Sequence, residues 1–203
     1  MQEKMLCGEG EQWASGGVAV SPAQAELVAR AMAGDRAAFD GLAQQYRRRA
    51  TAVAIHLLGD LHGAQDVVQE SFLAAFERIH TLRDPARFAS WFHCILRRKC
   101  LRYRARRSAD ASLDDVPEPV AREGDGRTRE LLEEILPALN SLPLAFREVL
   151  AARYLSEMSY EEIAQMLGIS QSAVRVRCFR AKVRLRELLR RKGIGAPRGG
   201  MSP

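Results

Sequence analysis

Apolar residues recur along this chain at intervals of three and four, which is the period of a helix with one buried face. The longest stripe lies between Phe39 and Leu57, and shorter stripes follow over 67–79 and 88–95. No segment alternates apolar and polar residues as a half-buried strand does. The pattern therefore predicts an all-α fold.

Capping residues and helix breakers divide the first half of the chain into four predicted helices, which begin at Ser21, at Asp35, near His62 and at Asp84. Pro22 directly after Ser21 favours a helix start, and Gly59-Asp60 marks a helix end. The side chains predicted to face the core from the last two of these helices are Val67, Val68, Phe72, Ala75, Phe76 and Ile79, then Phe88, Trp91, Phe92 and Ile95.

The fourth predicted helix changes character after Leu96. Its next eleven residues contain no acid, and their bases are Arg97, Arg98, Lys99, Arg102, Arg104, Arg106 and Arg107. Residues 108–126, in contrast, contain prolines, glycines and six acids with one base, and they lack an apolar period. This composition predicts a flexible acidic linker between a domain at 21–107 and a second domain at 127–193. Residues 1–20 and 194–203 are expected to be disordered tails.

Residues 159–192 have the pattern of a helix-turn-helix. Ser159 and Glu162 have the spacing of a capping box, Gly168 suits a tight turn, and Ser170 is a good N-cap for a second helix. The apolar stripe of that second helix is Val174, Cys178, Ala181, Leu185 and Leu188.

In a helix-turn-helix, the start of the second helix meets base edges in the major groove, and flanking bases hold phosphates. The candidate DNA contacts are therefore Ser170, Gln171, Ser172, Arg175, Val176, Arg177 and Arg180. Among them Arg175 is suited to a guanine, and Val176 to a thymine methyl group. The alternative is a solvated basic face, but such faces usually mix both signs, and residues 173–192 contain a single acid, Glu187.

Charge and motif content narrow the class of protein. The net charge of +6 and the pI of about 9.5 favour an acidic partner, either nucleic acid or a membrane surface. No apolar run approaches the ~20 residues of a membrane span, and the N-terminus lacks a signal peptide, so a cytoplasmic protein is expected. No catalytic or nucleotide-binding motif is present, which argues against an enzyme.

The cysteines, at positions 7, 94, 100 and 178, do not have zinc-site spacing. We therefore expect Cys94 and Cys178 to be small core residues, and we expect neither a metal nor a cofactor. His93 beside Cys94 leaves a metal or redox site open as the alternative, and oxidation of Cys94 or Cys100 is a separate open question.

Segments in four places, taken in order, resemble a bacterial RNA polymerase sigma factor of the extracytoplasmic-function (ECF) class. The matching segments are Gly34 to Phe39, Leu58 to Asp60 with Gln65 to Phe72, Phe88 to Arg97, and Leu142 to Arg180. The resemblance covers roughly residues 25 to 192. Arg98 and Arg102 stand where the family commonly has Asn and Asp, which makes this helix unusually basic.

The resemblance implies a non-enzymatic factor that binds core RNA polymerase and directs it to promoters. The 21–107 domain would recognise and melt the −10 element, and the 127–193 domain would bind the −35 element through its helix-turn-helix. Asp66, Gln69 and Glu70 would contact the polymerase, although a solvated helix face explains these three equally well. The implied contacts on the −10 side are Arg87, Phe88, Arg97, Arg98, Lys99 and Arg102.

Trp91 is a further candidate for stacking on a base, but its spacing favours the core. An anti-sigma factor is an expected additional partner. The competing interpretation is a stand-alone helix-turn-helix regulator, either a repressor or an activator. Such a protein would have no use for the segment from Asp66 to Phe72 or for the basic helix at 97–107.

Overall fold

The computed structural model describes residues 21–110 and 135–193, so both predicted tails and most of the predicted linker lie outside the described residues. The regular secondary structure of these two segments is helical. The longer helices are α1 (Pro22–Met32), α2 (Arg36–Leu58), α3 (Leu61–Arg78), α4 (Phe88–Asp110), α5 (residues 135–140), α6 (Leu144–Leu150), α7 (Tyr160–Leu167) and α8 (Gln171–Arg191).

Short-range capping fixes the ends of the first helices where the sequence predicts them. The Ser21 hydroxyl accepts a hydrogen bond from the Gln24 amide, and the Asp35 carboxylate accepts one from the Ala38 amide. Gly59 ends α2 with a φ of 72°, in the left-handed region that a side chain disfavours. Asp60 then caps α3, so the two helices meet at a tight corner.

Helices α1 to α4 form an N-terminal unit around one apolar core. The stripe predicted on α2 is buried almost throughout, and it meets aromatic side chains of α4. Phe88 makes an edge-on contact with Tyr46, with ring centroids 5.0 Å apart, and stacks on Phe92 at 6.0 Å. Phe76 was predicted to face this core, but it is 44% exposed and makes a T-shaped contact with Phe39, with ring centroids 5.1 Å apart.

Helix α4 differs from its prediction at both ends. Asp84 caps a 3₁₀ turn, Pro85–Arg87, and the α-helix itself begins at Phe88. The helix then continues to Asp110, three residues into the segment predicted as a linker. The basic stretch is therefore helical over its whole length.

Helices α5 to α8 form a C-terminal unit that contains the predicted helix-turn-helix. The capping box at Ser159 and Glu162 is present in both directions, and Gly168 ends α7 with a φ of 65°. The Ser170 hydroxyl accepts a hydrogen bond from the Ala173 amide and so begins α8. The stripe on α8 faces the core, with Val174, Cys178 and Ala181 buried and Leu185 and Leu188 half-buried.

The two units pack against each other through polar and apolar contacts that the sequence did not predict. The Arg97 guanidinium lies 2.6 Å from the Glu148 carboxylate of α6. His93 Nδ1 and the Ser156 hydroxyl share a buried hydrogen bond of 2.6 Å. Further contacts are Arg49 with Glu157 at 3.2 Å and the apolar side chains of Leu136 and Ala151 against the N-terminal core.

Candidate nucleic-acid interface

The predicted base-reading residues lie at the exposed start of α8. Gln171, Ser172 and Arg175 are all exposed, while Val174 between them is buried in the core. This arrangement follows from the helical period, which separates the two faces by half a turn. The structure therefore brings the candidate readers together on a surface that a DNA groove can approach.

The outermost face of α8 is more apolar than its arginine content suggests. Ser172, Val176, Phe179 and Val183 recur at helical spacing opposite the buried stripe. Phe179 is 64% exposed, and sequence patterns did not single it out. Its spacing could have identified it as part of the interface, because a residue three after Val176 and four after Arg175 lies beside both on a helix.

The predicted phosphate contacts lie to one side of this face. Arg180 is exposed and Arg177 is half-buried. Both line a shallow depression of about 410 Å³ whose inner wall includes the half-buried Phe146. Both guanidinium groups therefore lie on one side of the candidate readers, where contact with a single phosphate strand would fix the register of the helix.

Arg175 contacts an aromatic ring from the first helix of the helix-turn-helix. Its guanidinium carbon lies 5.0 Å from the ring centroid of Tyr160, the first residue of α7. The guanidinium of Arg153 lies 4.9 Å from the same centroid. Arg153 also donates a hydrogen bond of 2.8 Å to the Met158 carbonyl, which fixes it against the turn before α7.

Several bases of α4 are engaged by groups of the protein itself. Arg97 pairs with Glu148, and Lys99 pairs with Glu70 at 2.9 Å. Further along, Arg104 donates to the Leu57 carbonyl and Arg107 pairs with Asp60 at 2.7 Å. In this arrangement Arg97 is only 18% exposed at its side chain, so contact with DNA would require the pair with Glu148 to exchange.

A second set of bases forms an outward ridge on α4. Arg98, Arg102 and Arg106 follow one another every four residues, on the side away from Arg104 and Arg107. Arg102 and Arg106 are exposed, and Arg98 is half-buried. Among the residues predicted for the −10 side, Arg98 and Arg102 therefore have the geometry of phosphate contacts.

The aromatic part of the predicted −10 contact is corrected by the structure. Phe88 is 1% exposed, because the α4 stripe turns it into the core against Tyr46, so it is a core residue and not a base contact. Arg87 is mostly buried as well, 3.4 Å from Asp84. Trp91 is half-buried and packs on the core beside Phe88, as its spacing predicted.

The third predicted surface lies on α3. Asp66, Gln69 and Glu70 are exposed on one face of this helix, while its opposite face is buried in the N-terminal core. The same face continues with Leu73, which is 61% exposed, and then with Phe76. The predicted acidic and amide edge thus leads directly into exposed apolar side chains that the sequence pattern assigned to no function.

Those apolar side chains line one wall of a groove of about 1080 Å³ between α2 and α3. Its apolar floor includes Phe39 and Phe72. Arginines of α2 stand along the same groove, at positions 36, 47 and 48. A long groove with this lining is suited to the apolar face of an amphipathic helix with acidic flanks.

The histidines and cysteines of the described residues are mostly buried. Burial lowers the pKa of His56 to about 4 and that of His93 to about 3, with Arg147 and Arg97 contributing smaller effects. Burial raises the pKa of Cys100 to about 12 and also raises the pKa of the Cys178 thiol. Cys94 and Cys178 are core residues, as predicted. In the segments 21–110 and 135–193, groups of three potential metal ligands are absent, as are helices able to cross a membrane.

Comparison with known families gives two matches in the order of the two units. The model of Sigma-70 region 2 matches residues 42–109, and that of Sigma-70 region 4 matches residues 132–185. The ECF RNA polymerase sigma factor SigM of Mycobacterium tuberculosis is 33% identical over 167 residues, which cover 81% of this chain and 84% of the relative. SigW of Bacillus subtilis, also an ECF sigma factor, is 26% identical over 171 residues, covering 77% and 91%.

Solved structures agree with these matches. CnrH, solved in complex with the cytosolic domain of CnrY, gives a TM-score of 0.64 at 29% identity, covering 83% of this chain and 98% of the CnrH chain. RpoE of Bartonella quintana, crystallised with the anti-sigma factor NepR, gives 0.60 at 25% identity, covering 72% and 95%.

Two helical units, the second a helix-turn-helix, together with these matches define a promoter-directing initiation factor of transcription. The chain belongs to the ECF class of RNA polymerase sigma factors. The resemblance and the all-α, two-domain fold inferred from sequence are thereby confirmed, and the stand-alone regulator is not favoured.

Proposed function

We propose that α3 docks this chain on core RNA polymerase while α4 and α8 contact the −10 and −35 elements of a promoter. In this assignment Asp66, Gln69 and Glu70 meet the polymerase. The outward ridge of α4 meets the −10 element, and the exposed start of α8 enters the major groove at the −35 element. The catalytic chemistry belongs to the polymerase, in the cytoplasm, and this chain supplies recognition alone.

The proposal is supported by the coexistence of basic and acidic surfaces, three in all, on one small protein. Two are basic helix faces, one in each unit, and the third is the acidic edge of α3 on the N-terminal unit. Binding to DNA accounts for the two basic surfaces but not for the acidic one. An acidic surface on a basic protein indicates a second, non-nucleic-acid partner.

Transcription with purified components tests this proposal. The chain is mixed with core polymerase and a promoter library, and both promoter binding and transcript formation are measured at several salt concentrations. The chain alone should bind promoters weakly, and specific initiation should require both proteins. Tight operator binding by the chain alone, with a steep salt dependence and no effect on the polymerase, would instead identify a repressor.

A paired substitution separates the polymerase surface from the rest. Asp66→Ala with Glu70→Ala should weaken binding to core polymerase, because it removes both carboxylates from the proposed docking edge. Glu26→Ala, which removes an exposed carboxylate from α1, is the matched control and should leave affinity unchanged. Unaltered affinity in the double variant would show that the α3 edge is only a solvated face.

Base reading on the −35 side is tested at Arg175. The substitution Arg175→Ala should reduce discrimination between −35 sequences by about 1–3 kcal/mol if its guanidinium reads a base edge. Holoenzyme binding to promoters with single −35 base changes measures this directly. An equal loss on every sequence would make Arg175 a phosphate contact. We also place Phe179 against the DNA beside Arg175, because apolar side chains pack on thymine methyl groups.

The groove between α2 and α3 is the proposed site for an anti-sigma factor. Two proteins of similar fold, CnrH and RpoE, were solved in complex with CnrY and with NepR. The apolar floor of the groove and the arginines along it favour an amphipathic helix that carries acidic residues. Because the groove adjoins Asp66 and Glu70, an occupant would compete with polymerase. Leu73→Ser should relieve inhibition by the anti-sigma factor, whereas Glu26→Ala should not.

A further inference from the structure

Two arginines, Arg153 and Arg175, have their guanidinium groups over the ring of Tyr160. Tyr160 is the first residue of α7, and its position is fixed by the capping box that precedes it. The side chain is half-buried and packs against the core of the C-terminal unit. The ring is therefore an anchored surface next to the candidate base reader, Arg175.

The contact between Arg175 and this ring is compatible with recognition of a base by Arg175. A guanidinium that lies over an aromatic ring uses its face, whereas its N–H donors point outward in its own plane. Those in-plane donors are the ones that bind a guanine edge bidentately. The ring at 5.0 Å can thus hold Arg175 without consuming the hydrogen bonds that recognition needs.

Holding the side chain matters because a free arginine has many rotamers to lose on binding. A base-contacting side chain that is already ordered loses less conformational entropy when it binds its base. It is also less free to rotate towards a phosphate. The guanidinium of Arg153 lies 4.9 Å from the centroid of the same ring and donates a hydrogen bond to the Met158 carbonyl. This links the Tyr160 ring to the turn that precedes α7.

We propose that Tyr160 is a positioning residue that sets −35 selectivity by orienting the Arg175 guanidinium. This inference rests on the proposed function, because it requires Arg175 to read a base. It assigns a specificity role to a residue of the first helix of the helix-turn-helix that the sequence patterns did not single out.

The test is a comparison of tyrosine variants in reconstituted holoenzyme. Tyr160→Phe keeps the ring and removes the hydroxyl, whereas Tyr160→Leu removes the ring and keeps an apolar side chain. Tyr160→Met is the second ring-free variant and is used if Tyr160→Leu loses helicity. Tyr154→Leu is the matched control, because Tyr154 is an exposed tyrosine of the same unit that contacts Lys182 at 5.9 Å.

The measured quantity is the ratio of holoenzyme affinities for the preferred −35 element and for versions with one base pair changed. At the position that depends on Arg175, Tyr160→Leu should lower this ratio about two- to fivefold, the range of an exposed cation–π contact. Tyr160→Phe and Tyr154→Leu should leave it unchanged. In an Arg175→Ala background, Tyr160→Leu should cause no further loss.

Three results would overturn the inference. One is full discrimination in both ring-free variants, and another is equal loss in Tyr160→Phe. The third is a loss that persists in the Arg175→Ala background, which would mean that Tyr160 acts on DNA independently. The wild-type protein separates this inference from the proposed function. If it shows no −35 preference with core polymerase, the proposed function fails, whereas a preference that survives loss of the ring refutes only the role of Tyr160.

Discussion

The ion pair between Arg97 and Glu148 is expected to hold the two units together, and Glu148→Gln tests this. Both Nη2 and Nε of Arg97 lie within 2.6–2.8 Å of the same carboxylate oxygen. The side chains are 18% and 9% exposed, so water screens the pair only in part. Glutamine preserves the shape and one acceptor while removing the charge that the guanidinium faces.

The magnitude follows from the burial of the pair. Removing one partner of a fully buried pair costs about 3–5 kcal/mol, because the other charge is left uncompensated. Partial exposure and the retained acceptor reduce this to about 1.5–2 kcal/mol for Glu148→Gln. At 1.4 kcal/mol for each factor of ten, the ratio of separated to packed units should rise between about tenfold and thirtyfold.

Cys94 is a natural probe of this separation, so no cysteine has to be introduced. It belongs to α4 but is only 5% exposed, because it packs against the core of the C-terminal unit. Its alkylation rate under native conditions should therefore follow the fraction of separated units when packing is faster than alkylation. Cys178 is buried inside the C-terminal unit and serves as the internal reference. Mass spectrometry of the two peptides gives both rates in one sample.

Glu148→Gln should accelerate alkylation of Cys94 between about tenfold and thirtyfold and leave Cys178 unchanged. Glu187→Gln is the control, because Glu187 pairs with arginines within α8 and takes no part in the contact between units. Equal Cys94 rates in the two variants would refute the expected role of the pair. Parallel acceleration of Cys94 and Cys178 would show that the substitution unfolds the C-terminal unit instead.

Two further predictions concern stability. Gly59→Ala should lower the free energy of unfolding by about 2 kcal/mol, since it adds left-handed strain and its Cβ would displace Asn140, 1.8 Å away, whereas Gly168→Ala, with open space around it, should cost about 1 kcal/mol. Urea titrations of both variants measure the difference, and equal costs would contradict the contribution of Asn140. Because His56 and His93 have folded pKa values of about 4 and about 3, below their usual value, the unfolded state takes up protons first as the pH falls. Stability should be constant above about pH 7 and fall by about 2 kcal/mol per histidine by pH 5, with His56→Phe removing about half of that slope.

Helix ends were predictable from sequence because capping is a local interaction. Ser159 and Glu162 satisfy each other within one turn, and Ser170 needs only the Ala173 amide, so both ends of α7 and the start of α8 were placed correctly. Apolar periodicity was less reliable at the rim of a core. Phe76 continues the α3 stripe but borders the groove, because no side chain of the described residues covers its outer edge.

The ion pairs between the units escaped prediction because each joins charged residues that are distant in sequence. Arg97 and Glu148 are 51 positions apart, and each looks like a solvated residue on its own helix. The exposed Phe179 was overlooked for a related reason. The arginines around it and Val176 drew the assignment of base and phosphate contacts, although helical spacing placed this aromatic ring at the centre of the same surface.

Six of the seven bases in residues 97–107 divide into two groups according to helical period, and the seventh, Lys99, pairs with Glu70 of α3. A guanidinium binds carboxylates and phosphates with the same planar set of donors, so sequence can show that α4 needs oxygen-rich partners without showing which ones. The side of α4 that carries Arg97, Arg104 and Arg107 faces Glu148, the Leu57 carbonyl and Asp60, and these bases stabilise the fold. Arg98, Arg102 and Arg106 share the opposite side, where Arg102 and Arg106 are exposed and so accessible to the anions of a partner. Helical face, and not membership of the basic run, therefore separates the bases that stabilise the fold from those that can meet DNA.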